Sequence, residues 1–593
     1  MRRARDRGGP AVALVGLLAV LWLAPSAAPA VERAAMTATP NPIQTENALP
    51  GADPATWLYP TYPPRSIEGY ASEVSVLPGE DVHLHVSTRD TNRYRIEVYR
   101  LGWYGGLGAR LLACLPSCSS DESGHPFSVP QSDPSGVLRA GWPVTDTVHV
   151  GSDWVTGYYY ALLRVTSSGS DSGTRGYVPF IVREPRTRRS QILVQVPVNT
   201  WQAYNPWGGK SLYPFNSTDL APAVRVSFDR PLAFTAQGPF DWEYNLVRFL
   251  EREGYDLSYQ TDLDTDRHPE SLLEHRLVIV AGHDEYWTKR IRDAFDAARE
   301  LGTNLAFTGS NAGYWQIRYE DDGRTIVGYK DAAPDPESDP ALRTVRFRDL
   351  VPPRPECELE GVMYYRIRES QSGPVDFTAT DAARTDPWFR GTGFQPGDKV
   401  LDVVGNEWDS LPEAPVPATC ARSKPILTVL FHYEGQPQNA DAIRYTAPSG
   451  ARVFAGGAQQ LSWSLDPFNT GRYGRTLPAD ERLVRLMRNA LADLTRPAAP
   501  PTLRPKARPR MVTLRIGRRT DPRIEFVEVV RHRGAKWFPF DDPTVIPVCR
   551  TSASTCVDRQ LRPGRYRYAA VAFDEWGQSI PKYSYPVVVP KGT

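Results

Sequence analysis

Three apolar runs, at 191–198, 277–281 and 304–308, are each followed at once by a loop dense in glycine, tyrosine and tryptophan. Short runs without polar alternation read as strands buried on both faces, as in a parallel sheet. In such a sheet the loops leaving the carboxyl ends of the strands meet in one crevice, where ligands bind. Here the loops are Asn199-Thr-Trp-Gln-Ala-Tyr-Asn-Pro-Trp-Gly-Gly-Lys-Ser-Leu-Tyr213, Gly282-His-Asp-Glu-Tyr-Trp287 and Gly309-Ser-Asn-Ala-Gly-Tyr-Trp315. Phenols, indoles and one His–Asp–Glu triplet are therefore expected to converge on one spot.

The pattern around these runs alternates strand and helix. Helices are predicted over 241–253, 269–274, 288–301 and 481–493, with further strands at 257–260, 426–433 and 452–455. This predicts a parallel α/β sheet over 188–496 with helices on both faces. The Pro- and Asp-rich stretch 318–425 is too long for a plain loop and reads as an elaboration over the sheet edge or crevice. On either side the period changes to two. Residues 65–185 read as an immunoglobulin-like β-sandwich and residues 511–593 as a small fibronectin-like one. The Pro-rich segment 497–510 reads as a linker, and 31–64 as an extended or disordered lead-in.

Residues 1–30 have the form of a secretory signal: Arg2, Arg3, Arg5 and Arg7, an apolar stretch, then Ala28-Pro-Ala30 with cleavage after Ala30. A retained anchor is the alternative. This predicts a secreted or cell-surface protein. Residues 1–30 carry a net +3 against +1 for the whole chain, so the mature protein stands near −2 and nucleic acid is not an expected partner. Six cysteines in an exported chain favour disulfides, grouped in chain order as Cys114/Cys118, Cys357/Cys420 and Cys549/Cys556. Spacing does not fix the connectivity. Zinc at Cys114, Cys118 and His125 is the minor alternative. His83 and His85, two apart on a strand, are either a metal pair or surface residues.

Two kinds of chemistry suit the crevice. Gly309-Ser-Asn-Ala-Gly313 has the spacing of a nucleophile elbow, but its central residue is Asn311, which suits an oxyanion donor rather than a nucleophile. The other is a metal. Glu285 and His283 share one side of an extended segment, and Tyr204 and Tyr213 add phenols, an oxygen-rich set for a hard Lewis acid. Asp284 is either a general base or a cap for helix 288–301. Glu407 and Asp409 form a second acidic loop, and Asp466 ends a further one. Trp201, Trp207, Trp287, Trp315 and Trp463 are read as aromatic walls around substrate or, equally, as packed core.

The segments Asn199-Thr-Trp-Gln-Ala-Tyr204, Gly282-His-Asp-Glu-Tyr-Trp287 and Phe454-Ala-Gly-Gly-Ala-Gln-Gln-Leu-Ser-Trp-Ser-Leu-Asp466 resemble the C-terminal region of the N,N-dimethylformamidase large (beta) subunit, over roughly 190–495. The resemblance implies a core like that of class I glutamine amidotransferases and an iron held by two tyrosines and one glutamate that hydrolyses a small amide. The glutamate maps to Glu285 and one tyrosine to Tyr204. The second tyrosine has its nearest counterpart in Tyr213, where Pro214 replaces an acidic residue. Export and the added β modules shift the expected substrate from dimethylformamide to an extracellular or cell-envelope amide, with a small partner subunit or homo-oligomer as expected company. The alternatives are a degenerate scaffold that binds glycan or protein, and a carbohydrate hydrolase pairing Glu285 with Glu407 or Asp466.

Overall fold

The computed structural model describes residues 40–591 apart from 59–65, 234–237, 368–372, 418, 421–426, 436–437, 469–476, 501 and 518–520. The signal sequence, its cleavage site and the anchor alternative lie outside the described residues. Residues 41–593 form one compact unit.

The central sheet is built from β1 (Ile192–Val196), β2 (Leu257–Thr261), β3 (Leu277–Val280), β4 (Asn304–Phe307), β5 (Val375–Ala379), β6 (Lys399–Val404), β7 (Leu427–Tyr433), β8 (Ala440–Thr446) and β9 (Arg452–Ala455). Its order is β2-β1-β3-β4-β9-β8-β7-β5-β6. The first five strands are parallel, and β8, β7, β5 and β6 add an antiparallel meander. The expected all-parallel sheet is thus a mixed one. The antiparallel half draws β5 and β6 from the irregular stretch 318–425, where the sequence marks the strand-like piece Lys399–Val404 but not Val375–Ala379.

Alternation explains the apolar runs. Ile192, Val194 and Val196 enter one hydrophobic cluster and Leu193 another, and Leu277 and Ile279 divide in the same way from Val278 and Val280. The first face is covered by helices α1 (Tyr244–Arg252) and α3 (Glu481–Leu494), which contribute Leu246, Phe249, Leu483 and Leu491. The second is covered by α2 (Lys289–Glu300), through Ile291, Phe295 and Ala298. With both faces dry, the two strands are apolar except for the buried Gln195 on β1. Thr288 caps α2 by accepting from the Ile291 N–H, and Asp284 does not.

The flanking regions are β, antiparallel apart from the parallel pairing of Ser75–Val76 with Ile181–Val182. N-terminal to the sheet lie a three-stranded and a six-stranded sheet, and the C-terminal region is also built from a three-stranded and a six-stranded sheet. Two stretches differ from expectation. The lead-in contains helices Pro42–Asn47 and Pro54–Trp57, whose Ile43 and Trp57 are fully buried. Two apolar anchors in a polar, proline-rich stretch suffice to order it against the rest of the molecule. In the Pro-rich segment 497–510, Leu503–Arg508 pairs in register with Met511–Ile516. That strand is at a sheet edge, where Pro505 costs no ladder bond.

All six cysteines are paired, Cys114–Cys118, Cys357–Cys420 and Cys549–Cys556, which removes the zinc reading. His83 bonds Glu73, whereas His85 stacks on Tyr70 and bonds Ser72 and the Trp142 carbonyl, so the two histidines share no ligand. Among the described residues no helix is long and apolar enough to cross a membrane.

Candidate functional site

After β1 the chain leads to β2 on one side, and the next strand, β3, is on the other, so a topological switch point opens between β1 and β3. The loops there are joined by their motif residues. The Glu285 N–H donates to Thr200 Oγ1 (3.0 Å), and Asn199 Nδ2 donates to the Tyr286 carbonyl (3.0 Å). Gly282 and Gly309 let the loops after β3 and β4 touch: a Cβ on Gly309 would lie 1.8 Å from the Gly282 carbonyl oxygen. Only glycine fits this approach.

These contacts gather Tyr204, Tyr213 and Glu285. Tyr204 donates to Glu285 Oε2 at 2.9 Å, Tyr213 lies 2.9 Å from both carboxylate oxygens, and Tyr286 donates to the Tyr213 hydroxyl at 2.5 Å. The loop carrying Tyr213 is fixed by Asn216 Nδ2 on the Tyr204 carbonyl and by Ser217 Oγ on the Tyr213 carbonyl. Burial and then the charge of Glu285 hold all three phenols well above their ordinary pKa. Without a cation they stay protonated, Tyr204 and Tyr213 donating to Glu285 and Tyr286 to Tyr213.

His283 lies beside this cluster, its Nε2 3.6 Å from Glu285 and 3.0 Å from Glu407. Burial alone would lower the His283 pKa, but Glu407 and Glu285 raise it above its usual value. Burial pushes the Glu285 carboxyl up despite His283. At Glu407 burial is outweighed by His283, Asn311 and Lys330, and the net shift is downward. The interior of the site therefore places one imidazole between two carboxyl groups whose charge favours its protonated form.

Several expected residues have other positions. Asn311, in a left-handed conformation (φ 56°), donates through Nδ2 to Glu407 (2.8 Å) and through its backbone N–H to Asp409 (2.9 Å). Both groups are thereby engaged, and Asn311 positions Glu407 instead of waiting for an oxyanion. Asp284 alternates to the opposite side from His283 and Glu285 and accepts from Gln195 Nε2 (2.6 Å). Of the tryptophans, only Trp315 borders the cluster. Trp201 is buried, Trp207 packs on Trp142, Trp287 stacks on Phe295, and Trp463 stacks on Trp242. Asp466 pairs with Arg248 and Arg252, and Glu407 and Glu285 flank one imidazole, so neither expected pair faces across a groove.

Lys330 is the residue that sequence reasoning missed. Its ammonium is 3.2 Å from the centroid of Tyr213, 5.1 Å from Tyr286 and 5.2 Å from Trp315, with its Nζ buried and lacking a hydrogen-bond acceptor. Burial lowers its pKa to about 7 against the pull of Glu285 and Glu407. It arrives because Tyr286–Thr288 pairs with Trp315–Glu320, which pairs in turn with Thr325–Val327. No local motif marks it. Tyr286 had a motif but no assigned role, and Glu407 reaches the site on a strand (Glu407–Ser410) paired with Met363–Ile367.

Among the described residues no group of three or more His, Cys, Asp or Glu has the geometry of a metal site. The donor set here is of another kind, two phenols and a carboxylate within hydrogen-bond reach of one another, and it suits a hard, oxygen-seeking ion. A family model described as N,N-dimethylformamidase beta subunit-like, C-terminal, matches residues 95–474, more than half of the chain. The chain belongs to this family. The match begins within the N-terminal β region, well before residue 190, so the family pattern includes part of that region. No curated protein matches the chain. Among solved structures, the chicken CNTN1 FN1–FN3 domains align at 8% identity over 90% of this chain and 100% of that one, with a TM-score of 0.14. A human FNIII domain aligns at 15% identity over 16% of this chain and 76% of that one, with a TM-score of 0.13. Scores this low carry no argument about fold.

Proposed function

We propose that this dimethylformamidase-family chain is a metal-dependent amidohydrolase whose centre is held by Tyr204, Tyr213 and Glu285, with iron as the metal. The observation that carries the reading is the convergence of both phenols on Glu285 at 2.9 Å. When bound, the ion supplies Lewis acidity, polarising an amide carbonyl and activating water.

The remaining roles belong to side chains. In this reading His283 takes a proton from the attacking water at Nε2 and returns it to the leaving nitrogen. Glu407 stabilises the imidazolium and Asn311 fixes Glu407. Asn311 Oδ1 and Lys330 Nζ, both buried without a hydrogen-bond partner, are suited to accept from a substrate N–H and to donate to its oxygen. Unsatisfied buried polar atoms are costly, and two in one crevice support a ligand site. We read the substrate as an extracellular or envelope amide, the flanking β regions as immunoglobulin-like and fibronectin-like modules, and the protein as exported, acting alone, as a homo-oligomer or with a small partner subunit.

The test is iron content and the visible spectrum of residues 31–593 beside Glu285→Ala. Near-stoichiometric iron with a phenolate charge-transfer band, both lost in the variant, is expected. Colourless protein that takes up no added iron would refute the metal centre and favour the binding-scaffold reading.

A further inference from the structure

The interior and the mouth of the crevice differ in kind. Inside are His283, Glu407, Asn311 and Lys330, all polar. At the opening, Tyr204, Tyr213 and Trp315 are half-buried rings. Phe215 lies outermost and is 68% exposed, with its ring centroid 5.2 Å from Tyr213 and 6.4 Å from Tyr204.

Phe215 does not hang free. Pro214 before it presets the backbone, and Asn216 and Ser217 after it are bonded to the carbonyls of Tyr204 and Tyr213. The same loop continues into Asp219 and Leu220, both at positive φ (57° and 53°), with Leu220 70% exposed. A leucine in that region is strained, and such strain concentrates at ligand-contacting segments. A pinned, exposed phenylalanine against the two phenols that line the centre offers apolar ring surface that a ligand's hydrocarbon would take out of water.

The geometry points to Phe215 as a specificity-determining residue that packs on an apolar substituent of the substrate amide, an aryl or long alkyl group, while the polar interior takes the amide itself. This rests on the amidohydrolase reading, and it narrows the substrate class from small amides to amides with a sizeable hydrocarbon arm. Aromatic contact of this sort is worth up to about tenfold in affinity.

The experiment compares binding of N-benzylacetamide and N-methylacetamide by saturation-transfer NMR to iron-supplemented residues 31–593, to Phe215→Ala and to Phe215→Leu. Melting temperature and iron content are measured on each. The wild type is expected to bind the benzyl probe about tenfold more tightly, Phe215→Ala to lose that preference with N-methylacetamide unaffected, and Phe215→Leu to keep part of it. Equal preference in Phe215→Ala, or no binding of the benzyl probe by the wild type, would overturn the proposal. Iron uptake without Phe215 dependence would leave the amidohydrolase reading standing and remove this one. Phe215-dependent binding by protein that takes up no iron would keep the apolar contact but overturn the metal centre and, with it, Phe215 as a determinant of hydrolysis.

Discussion

His283 Nε2 lies 3.0 Å from Glu407 Oε2, which joins the end of a parallel strand to a strand of the long irregular stretch. The contact is buried on both sides and braced by Asn311. It makes the proton-handling part of the site depend on residues far apart in the chain. In Glu407→Gln, amide hydrolysis is expected to fall by about 10²-fold or more, with iron content unchanged because Tyr204, Tyr213 and Glu285 remain. Turnover and metal analysis on the same preparation decide it, and loss of iron would instead place Glu407 among the ligands.

The disulfide Cys357–Cys420 spans 63 residues and closes the segment that holds Glu407. In a chain-entropy picture a loop of this length is worth about 4 kcal/mol. The Cys357→Ser, Cys420→Ser double variant is expected to lose stability of that order in urea titrations. It is also expected to lose amide turnover ahead of global unfolding, since the site is incomplete without this segment.

Arg276 links the central sheet to the C-terminal β region. It is fully buried, donates to Asp521 at 2.6 Å, pairs with Asp574, and lies over the Trp576 ring at 5.7 Å. Removing one partner of a buried ion network leaves charges uncompensated and costs about 3–5 kcal/mol. Arg276→Met is expected to lower stability by that amount and to open 497–510 to limited proteolysis. A cleavage pattern like that of the wild type would argue against a fixed junction.

His275 gives a pH dependence. Burial holds its pKa down to about 4, only partly offset by the Ser190 carbonyl that accepts from Nδ1. The folded protein keeps it neutral while the unfolded chain protonates near 6.5, so the unfolded state binds more protons as pH falls through this window. Stability from this site is therefore intact above about pH 6.5 and declines down to about 4, by about 3 kcal/mol in all. Denaturation of His275→Gln beside the wild type at pH 7.5 and pH 4 measures it. The variant is expected to lack that part of the acid loss.

The strands β1, β3 and β4 and the loops behind them were legible because burial on both faces leaves an unbroken apolar run, and the glycines mark where loops must touch. Tyr204, Tyr213, Glu285 and His283 were legible for the same reason, together with resemblance to a family. Of the antiparallel half, 426–433 and the piece at 399–404 were legible, whereas Val375–Ala379 and Ala440–Thr446 were not, because Asp376, Asp441 and Arg444 interrupt their apolar pattern.

What the sequence by itself determined is local: which runs are buried, where the chain turns, and which loops leave the carboxyl ends of the parallel strands. What only the tertiary structure decided is which distant side chains complete the site. Lys330 arrives through three paired strands with no motif around it, and Glu407, marked in the sequence only as part of a second acidic loop, is set beside His283 by another strand pair. Four of the five tryptophans that looked like substrate walls are core residues instead. The physical reason is that period and glycine spacing record whether a residue is buried, whereas the neighbour it meets is fixed by long-range strand pairing.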